Sequence, residues 1–184
     1  MKRAILMTVV LAMITSLTYS QKFITKTGHI WFYSSTPMEN IEAHNKQSSS
    51  ILDSQTGDVV VSVLMKSFEF EKALMQEHFN ENYVESDKFP KGKFKGKINN
   101  LADIDFKNDG EYRAMVSGTL TIHGTAKDIE TAMLIHVRGD ALHVVGKFVV
   151  APSDFAIEIP KMVEKNIASE IDVNVDMNFK PYKK

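Results

Sequence analysis

Beyond residue 20, apolar side chains recur mostly at every second position, the spacing that puts one strand face in a core and the other in water. From Tyr112 to Ile122, one face carries Tyr112, Ala114, Val116, Gly118, Leu120 and Ile122. The other carries Arg113, Ser117, Thr119 and Thr121, with Met115 the one exception. Ile171, Val173, Val175, Met177 and Phe179 alternate in the same way with Asp172, Asn174, Asp176 and Asn178. Between these stretches the pattern predicts a strand through Ile129, Thr131, Met133, Ile135 and Val137. A second strand follows, whose inward set is Leu142, Val144, Gly146, Phe148 and Val150. Arg138-Gly139-Asp140 is the turn between them. The same tripeptide can be read as a cell-adhesion signal, but turn chemistry in a hairpin position is the preferred reading. Further turns fall at Asp53–Gly57, ahead of the apolar run Val59 to Met65, and at Asn108-Asp109-Gly110.

One internal segment changes to helical spacing. Phe70, Ala73, Leu74 and His78 would share a face, with Lys72, Gln76, Asn80 and Glu81 polar, which predicts a short helix over 71–82. A weaker helical turn is expected around Met162 to Ile167, after Pro160. Many short strands with one lid-like helix predict an all-β, mainly antiparallel, closed barrel with one or two short helices, because closure removes exposed edges. A flat β-sandwich is the alternative. There is no repeat, low-complexity linker or second composition zone, so one domain over 21–184 is expected.

The first twenty residues stand apart. Lys2 and Arg3 precede an apolar run from Ala4 to Ile14, too short to span a bilayer. Thr18 and Ser20 then occupy the positions a signal peptidase reads, so residues 1–20 are expected to be a signal peptide cleaved after Ser20. The product would be periplasmic or secreted. The chain has no cysteine, so neither a lipid anchor at the cut nor a disulfide framework is available, and the core alone must stabilise the fold. Without Lys2 and Arg3, 20 basic side chains face 23 acidic ones, a balance that does not suggest nucleic acid binding.

The middle of the chain is more specific. Leu74-Met75-Gln76-Glu77-His78-Phe79-Asn80-Glu81 leads through Ser86-Asp87-Lys88-Phe89-Pro90 into Lys91-Gly92-Lys93-Phe94-Lys95-Gly96-Lys97-Ile98. Gly118-Thr119-Leu120-Thr121-Ile122-His123-Gly124 with Lys127 forms a second element, and Ser153-Asp154-Phe155-Ala156-Ile157 a third. These three elements, spread over residues 58 to 180 or so, resemble the YceI-like family of polyisoprenoid- or lipid-binding proteins with a lipocalin-like barrel. The opening His29-Ile30-Trp31-Phe32-Tyr33-Ser34-Ser35-Thr36-Pro37 departs from that family's commoner strand. The resemblance implies an exported barrel that binds a long isoprenoid or related amphiphile, and no cofactor beyond a bound polyisoprenoid or quinone-like lipid.

Barrels of about eight strands either fill their interior or keep room for one ligand. Gly96, Gly118 and Gly146 fall on inward faces and would leave volume there; the plainer reading makes each a bulge or sharp bend. Trp31, Phe68, Phe70, Phe79, Phe94, Phe148 and Phe155 are candidate walls, with Val116 and Leu120 inward on the central strand and Met65 and Met75 as adaptable filler. Each is also an ordinary core residue by burial preference. The six histidines show no i, i+4 pair, and there is no nucleophile elbow, phosphate loop or dinucleotide fingerprint, so neither a metal site nor an enzyme is proposed by these residues. Lys91, Lys93, Lys95 and Lys97 share one strand face, expected as a solvated edge or, more sharply, as a contact for an anionic head group or membrane surface. The expected partners are an apolar isoprenoid-type ligand, a second copy in a homodimer, and a membrane touched transiently. The competing function is an envelope protein-interaction module with a filled barrel; an enzyme ranks third.

Overall fold

A computed structural model describes residues 21–182, so the signal peptide expected over 1–20 lies outside the described residues. The strands are β1 (Lys22–Ser35), β2 (Asn40–Asp53), β3 (Asp58–Leu64), β4 (Glu69–Phe70), β5 (Lys91–Ile98), β6 (Gly110–Ile122), β7 (Thr125–Arg138), β8 (Ala141–Val150) and β9 (Ile171–Pro181). Antiparallel pairing runs β1-β9-β8-β7-β6-β5-β3-β2, and β1 also pairs with β2. The sheet is thereby a closed ring of eight strands, as the alternating pattern predicts; the two-residue β4 lies beside β2 at Ala43 and His44.

Closure falls on the two longest strands of the N-terminal half. The β1 register against β2 shifts between Thr25 and Gly28 and again between Gly28 and Ile30, and its register against β9 shifts between Ile24 and His29. Such irregularities bend a strand enough to serve two neighbours. β2 is the strand that periodicity does not reveal, because its inward set includes Asn45, Ser48 and Ser50, all buried. Their polar atoms are satisfied locally. Asn45 donates to the Leu64 carbonyl at 2.9 Å and accepts from the Ser48 hydroxyl at 3.2 Å, and Ser50 donates to the Val60 carbonyl at 3.0 Å.

Antiparallel alternation gives the barrel two unlike ends. At the floor, short turns at 54–57 and 139–140 and the 99–109 loop close the structure, with Ile104 buried and the Phe106 ring 6.2 Å from Phe23. At the other end lie the 36–39 hairpin, the 123–124 turn and two long crossovers, 65–90 and 151–170, which form a lid.

The first crossover holds the predicted helix. It spans Ala73–His78 and widens to a π-turn over Phe79–Tyr83, so 71–82 is close in extent. The predicted face is kept in part: Phe70 is half-buried, and Leu74 and His78, though exposed, border the barrel interior with it. Ala73, Leu74 and His78 are exposed, while Met75 and Phe79 are half-buried and Val84 is buried. The π-turn then carries the chain on to the buried Val84. The second helical turn is a single 3-10 turn at Glu164–Asn166.

The lysine row is solvated, but not as an edge. β5 lies between β3 and β6 in the closed ring, and Lys93, Lys95 and Lys97 sit across from Thr121, Thr119 and Ser117 on β6. They are the exposed side of an interior strand.

Candidate ligand cavity

The inward faces enclose a cavity of about 580 Å³, within the range of small-molecule sites. Its wall is built from period-two sets: Val59, Val61 and Val63 on β3, Ala114, Val116 and Leu120 on β6, and Val173, Val175 and Met177 on β9. The apolar run at 59–65 has no phase readable from sequence. The register turns Val59, Val61 and Val63 inward and leaves Val60 and Leu64 exposed.

Beneath the lid, Phe79 is ringed by Phe32, Phe68 and Phe70, with centroid separations of 5.6, 5.6 and 5.1 Å, spacings typical of favourable aromatic pairs. Two of these rings reach the cluster from the first crossover, Phe70 by way of the β4 ladder to β2. Phe32 is not among the candidate walls named above; the alternation of Ile30, Phe32 and Ser34 on β1 is the signal that points to it.

Of the candidate residues, Phe68, Phe70, Phe79, Phe94, Val116, Leu120, Phe148 and Phe155 all line the cavity, as do Met65 and Met75. Four do not. Trp31 lies between the inward Ile30 and Phe32 and faces out, stacked on His29 with centroids 4.5 Å apart. Gly96 and Gly118 face each other across β5 and β6. A Cβ on Gly118 would lie 2.3 Å from the Gly96 Cα, and one on Gly96 would lie 2.4 Å from the Phe94 Cζ. They permit a sharp bend and close approach, and Phe94 occupies the space a side chain would have taken. A Cβ on Gly146 would lie 2.0 Å from the Met133 sulfur, so Met133 fills that position. None of the three leaves open volume.

Two polar tethers hold the lid. On one side, His123 at the β6–β7 turn places Nε2 2.7 Å from Glu85 Oε2 and Nδ1 3.2 Å from the Phe155 carbonyl, joining both crossovers to one hairpin. Lys127 bonds to Asp154 beside it. The His123 bond is the main cause holding the Glu85 carboxyl below its ordinary range. On the other side, Glu39 accepts from Lys72 at 2.9 Å on one oxygen and from Asn166 at 3.2 Å on the other. Those two bonds, Lys72 first, hold the Glu39 carboxyl below its ordinary range. The Ser34 hydroxyl also accepts from the Ala168 amide at 2.8 Å. Burial pushes up the Tyr83 phenol beneath the lid.

On the outer wall, His29 Nε2 lies 3.0 Å from His44 Nδ1, so one ring donates and the other accepts. Among the described residues, no group of three or more His, Asp or Glu side chains is arranged to hold a metal ion.

A closed, lidded antiparallel barrel around one apolar cavity defines a lipocalin-like architecture. The chain belongs to the YceI-like family: the sequence model of the YceI-like domain matches residues 9–179, taking in the N-terminal strands as well as the three resembling elements. Solved structures share the fold at low identity. A polyisoprenoid-binding domain from Saccharophagus degradans, implicated in plant cell wall breakdown, aligns with a TM-score of 0.75 at 13% identity, over 88% of this chain and 98% of that one. Burkholderia cenocepacia BcnA aligns with a TM-score of 0.69 at 16% identity, over 82% and 95%. The YceI protein of Campylobacter jejuni aligns with a TM-score of 0.60 at 18% identity, over 77% and 85%. No curated protein sequence matches.

Proposed function

We propose that this protein is an exported binding protein that holds a long-chain isoprenoid or similar amphiphilic lipid in its barrel. The observation that carries the reading is the apolar cavity of about 580 Å³ under a tethered lid. Each CH₂ moved from water into such a space contributes roughly 0.8 kcal/mol, so an apolar chain needs neither a metal nor a covalent bond. The polyisoprenoid-binding relative from Saccharophagus degradans points to the same class of cargo. The filled-barrel interaction module calls for a packed interior, and the cavity weighs against it. The protein's role in this reading is binding, not catalysis.

Export through cleavage after Ser20, into periplasm or medium, completes the proposal. Cargo would be exchanged by transient contact of the lid end with a membrane. Met38 and Met162, 70% and 94% exposed, and Leu74, 60% exposed, supply apolar side chains there. A homodimer would cover the exposed cross-strand pair Ile51 and Val60 on the outer wall.

The test is mass spectrometry of organic extracts from the mature protein purified after export. A stoichiometric isoprenoid or other long-chain amphiphile is expected. An empty extract from folded protein that also fails to take up an added polyprenol would refute the proposal.

A further inference from the structure

The cavity is polar at one end only. Ser34, Glu39, Lys72, His78, Tyr83 and Asn166 line it at or beneath the lid. In the wall, the Ser50 and Thr131 hydroxyls already bond to the Val60 and Lys147 carbonyls, and Lys93 sits on the outer, exposed face of β5. Toward the floor the lining is apolar, from Ile98, Ala114, Ile135, Met177 and Phe179. An amphiphile seated in this cavity would place its tail toward the floor and its head group at the lid.

The lid end is also where the charge lies. Segments 36–39, 65–90 and 151–170 carry eleven carboxylates against five lysines, whereas the rest of the described residues are nearly balanced, at twelve carboxylates against thirteen lysines and arginines. Ten of the eleven sit on the two crossovers. The ammonium groups do not offset this at the site. Lys72 is the one lid lysine lining the cavity, and it is held by Glu39; Lys66 and Lys88 are paired with Asp87 and Glu85. A head group at the mouth is thus in a negative field with no uncommitted lysine of the lid lining the cavity beside it.

Resting on the reading above, we propose that the site selects amphiphiles with an uncharged or cationic head, such as an alcohol, quinone or amine, and rejects the phosphate and diphosphate esters of the same chain. A diphosphate at the mouth would bring two to three negative charges among the lid carboxylates. A hydroxyl or carbonyl brings none, and can still accept from the Lys72 ammonium or the Asn166 amide.

The test uses the mature protein freed of lipid and four probes of one chain length: geranylgeraniol, geranylgeranylamine, geranylgeranyl phosphate and geranylgeranyl diphosphate. Each displaces a fluorescent apolar reporter at low and at high salt. The alcohol and amine are expected to bind at least about tenfold more tightly than the diphosphate at low ionic strength, with the phosphate between, and salt should narrow the gap. The double variant Glu77→Lys, Glu164→Lys, both exposed and outside the lining, should raise diphosphate affinity several-fold and leave that for the alcohol unchanged. Diphosphate binding equal to or tighter than the alcohol would overturn the inference while leaving lipid binding intact, and so would a gap insensitive to both salt and the charge reversals. Failure of all four probes would remove lipid binding itself, and the inference with it.

Discussion

Substituting alanine at Gly118 and at Gly146 separates two reasons for a strand glycine. At Gly118 the new methyl would stand 2.3 Å from the Gly96 Cα and 2.4 Å from the Lys95 carbonyl oxygen. Both are backbone atoms, so no rotamer change relieves the clash, and β5 and β6 must part along Lys93–Ile98. Overpacking costs about 1–3 kcal/mol, and each ladder hydrogen bond weakened adds about 1 kcal/mol. A loss of about 4 kcal/mol follows, or roughly 8–16 °C in Tm for a chain of this size. At Gly146 the nearest atoms are the Met133 sulfur at 2.0 Å and its Cε at 3.2 Å, the far end of a flexible side chain. Met133 lines the cavity and can swing into it, at about 0.5–1.5 kcal/mol for a poorer rotamer. Neither glycine has a left-handed φ, so alanine recovers some of this by restricting the unfolded chain. Gly146→Ala should melt within about 3 °C of the parent and, with Met133 inside, retain less copurified lipid. Thermal unfolding followed by circular dichroism, with extraction of each variant, reads both effects. If Gly118→Ala melts within 2–3 °C of the parent, or if the two variants lose stability equally, the close-approach account is refuted.

The two remaining predictions concern the tether and the outer wall. His123→Ala removes the bonds to Glu85 and to the Phe155 carbonyl, so it should cost roughly 2 kcal/mol, about 4–8 °C in Tm. Hydrogen exchange should quicken in both 79–90 and 151–157, and protection retained in either segment would count against a shared anchor. His29 has its pKa lowered, first by burial and then by the charges of His44 and Lys46. The unfolded chain therefore binds that proton more readily, so stability is full above the ordinary histidine range near pH 6.5 and declines as pH falls through it. The parent should melt lower at pH 5.5 than at pH 7.5, and His29→Gln should reduce that difference. An equal difference in the variant would refute the assignment.

How much of the architecture could be read in advance depended on which face each strand gives to apolar residues. β9 alternates cleanly, β6 has Met115 and β8 has Val145 and Val149 as apolar residues on the outer face, and on all three the pattern puts the correct side inward. β1 and β2 are not legible in this way, because closing the barrel requires bulges that break the period near Gly28, and because β2 turns Asn45, Ser48 and Ser50 inward. Those residues look like a surface loop in sequence. They are tolerated inside because Leu64, Val60 and neighbouring groups satisfy them, a condition no single-strand pattern can display. Trp31 departs from its expected place for the opposite reason. A large aromatic suggests a pocket wall, but with Ile30 and Phe32 inward it can only face out, where His29 covers it.

The residues that make the chain resemble its family are informative in a different way. His123, Lys127, Asp154 and Phe155 all fall where the crossovers meet the β6–β7 hairpin, and Glu85 reaches the same point from the first crossover. They anchor a lid over a cavity, and that task is the same whatever lies beneath. The barrel fold is shared at 13–18% identity; in this chain the lid needs only a few bonds at fixed places, while the wall needs only apolar volume. On the proposal above, ligand choice would rest on a separate physical basis, the charges carried between the anchors, which could change without disturbing either the tethers or the barrel. Replacing Glu77 and Glu164 therefore tests more than one head-group preference. If selectivity moves while the melting temperature does not, cargo and fold are encoded by separable sets of residues in this protein.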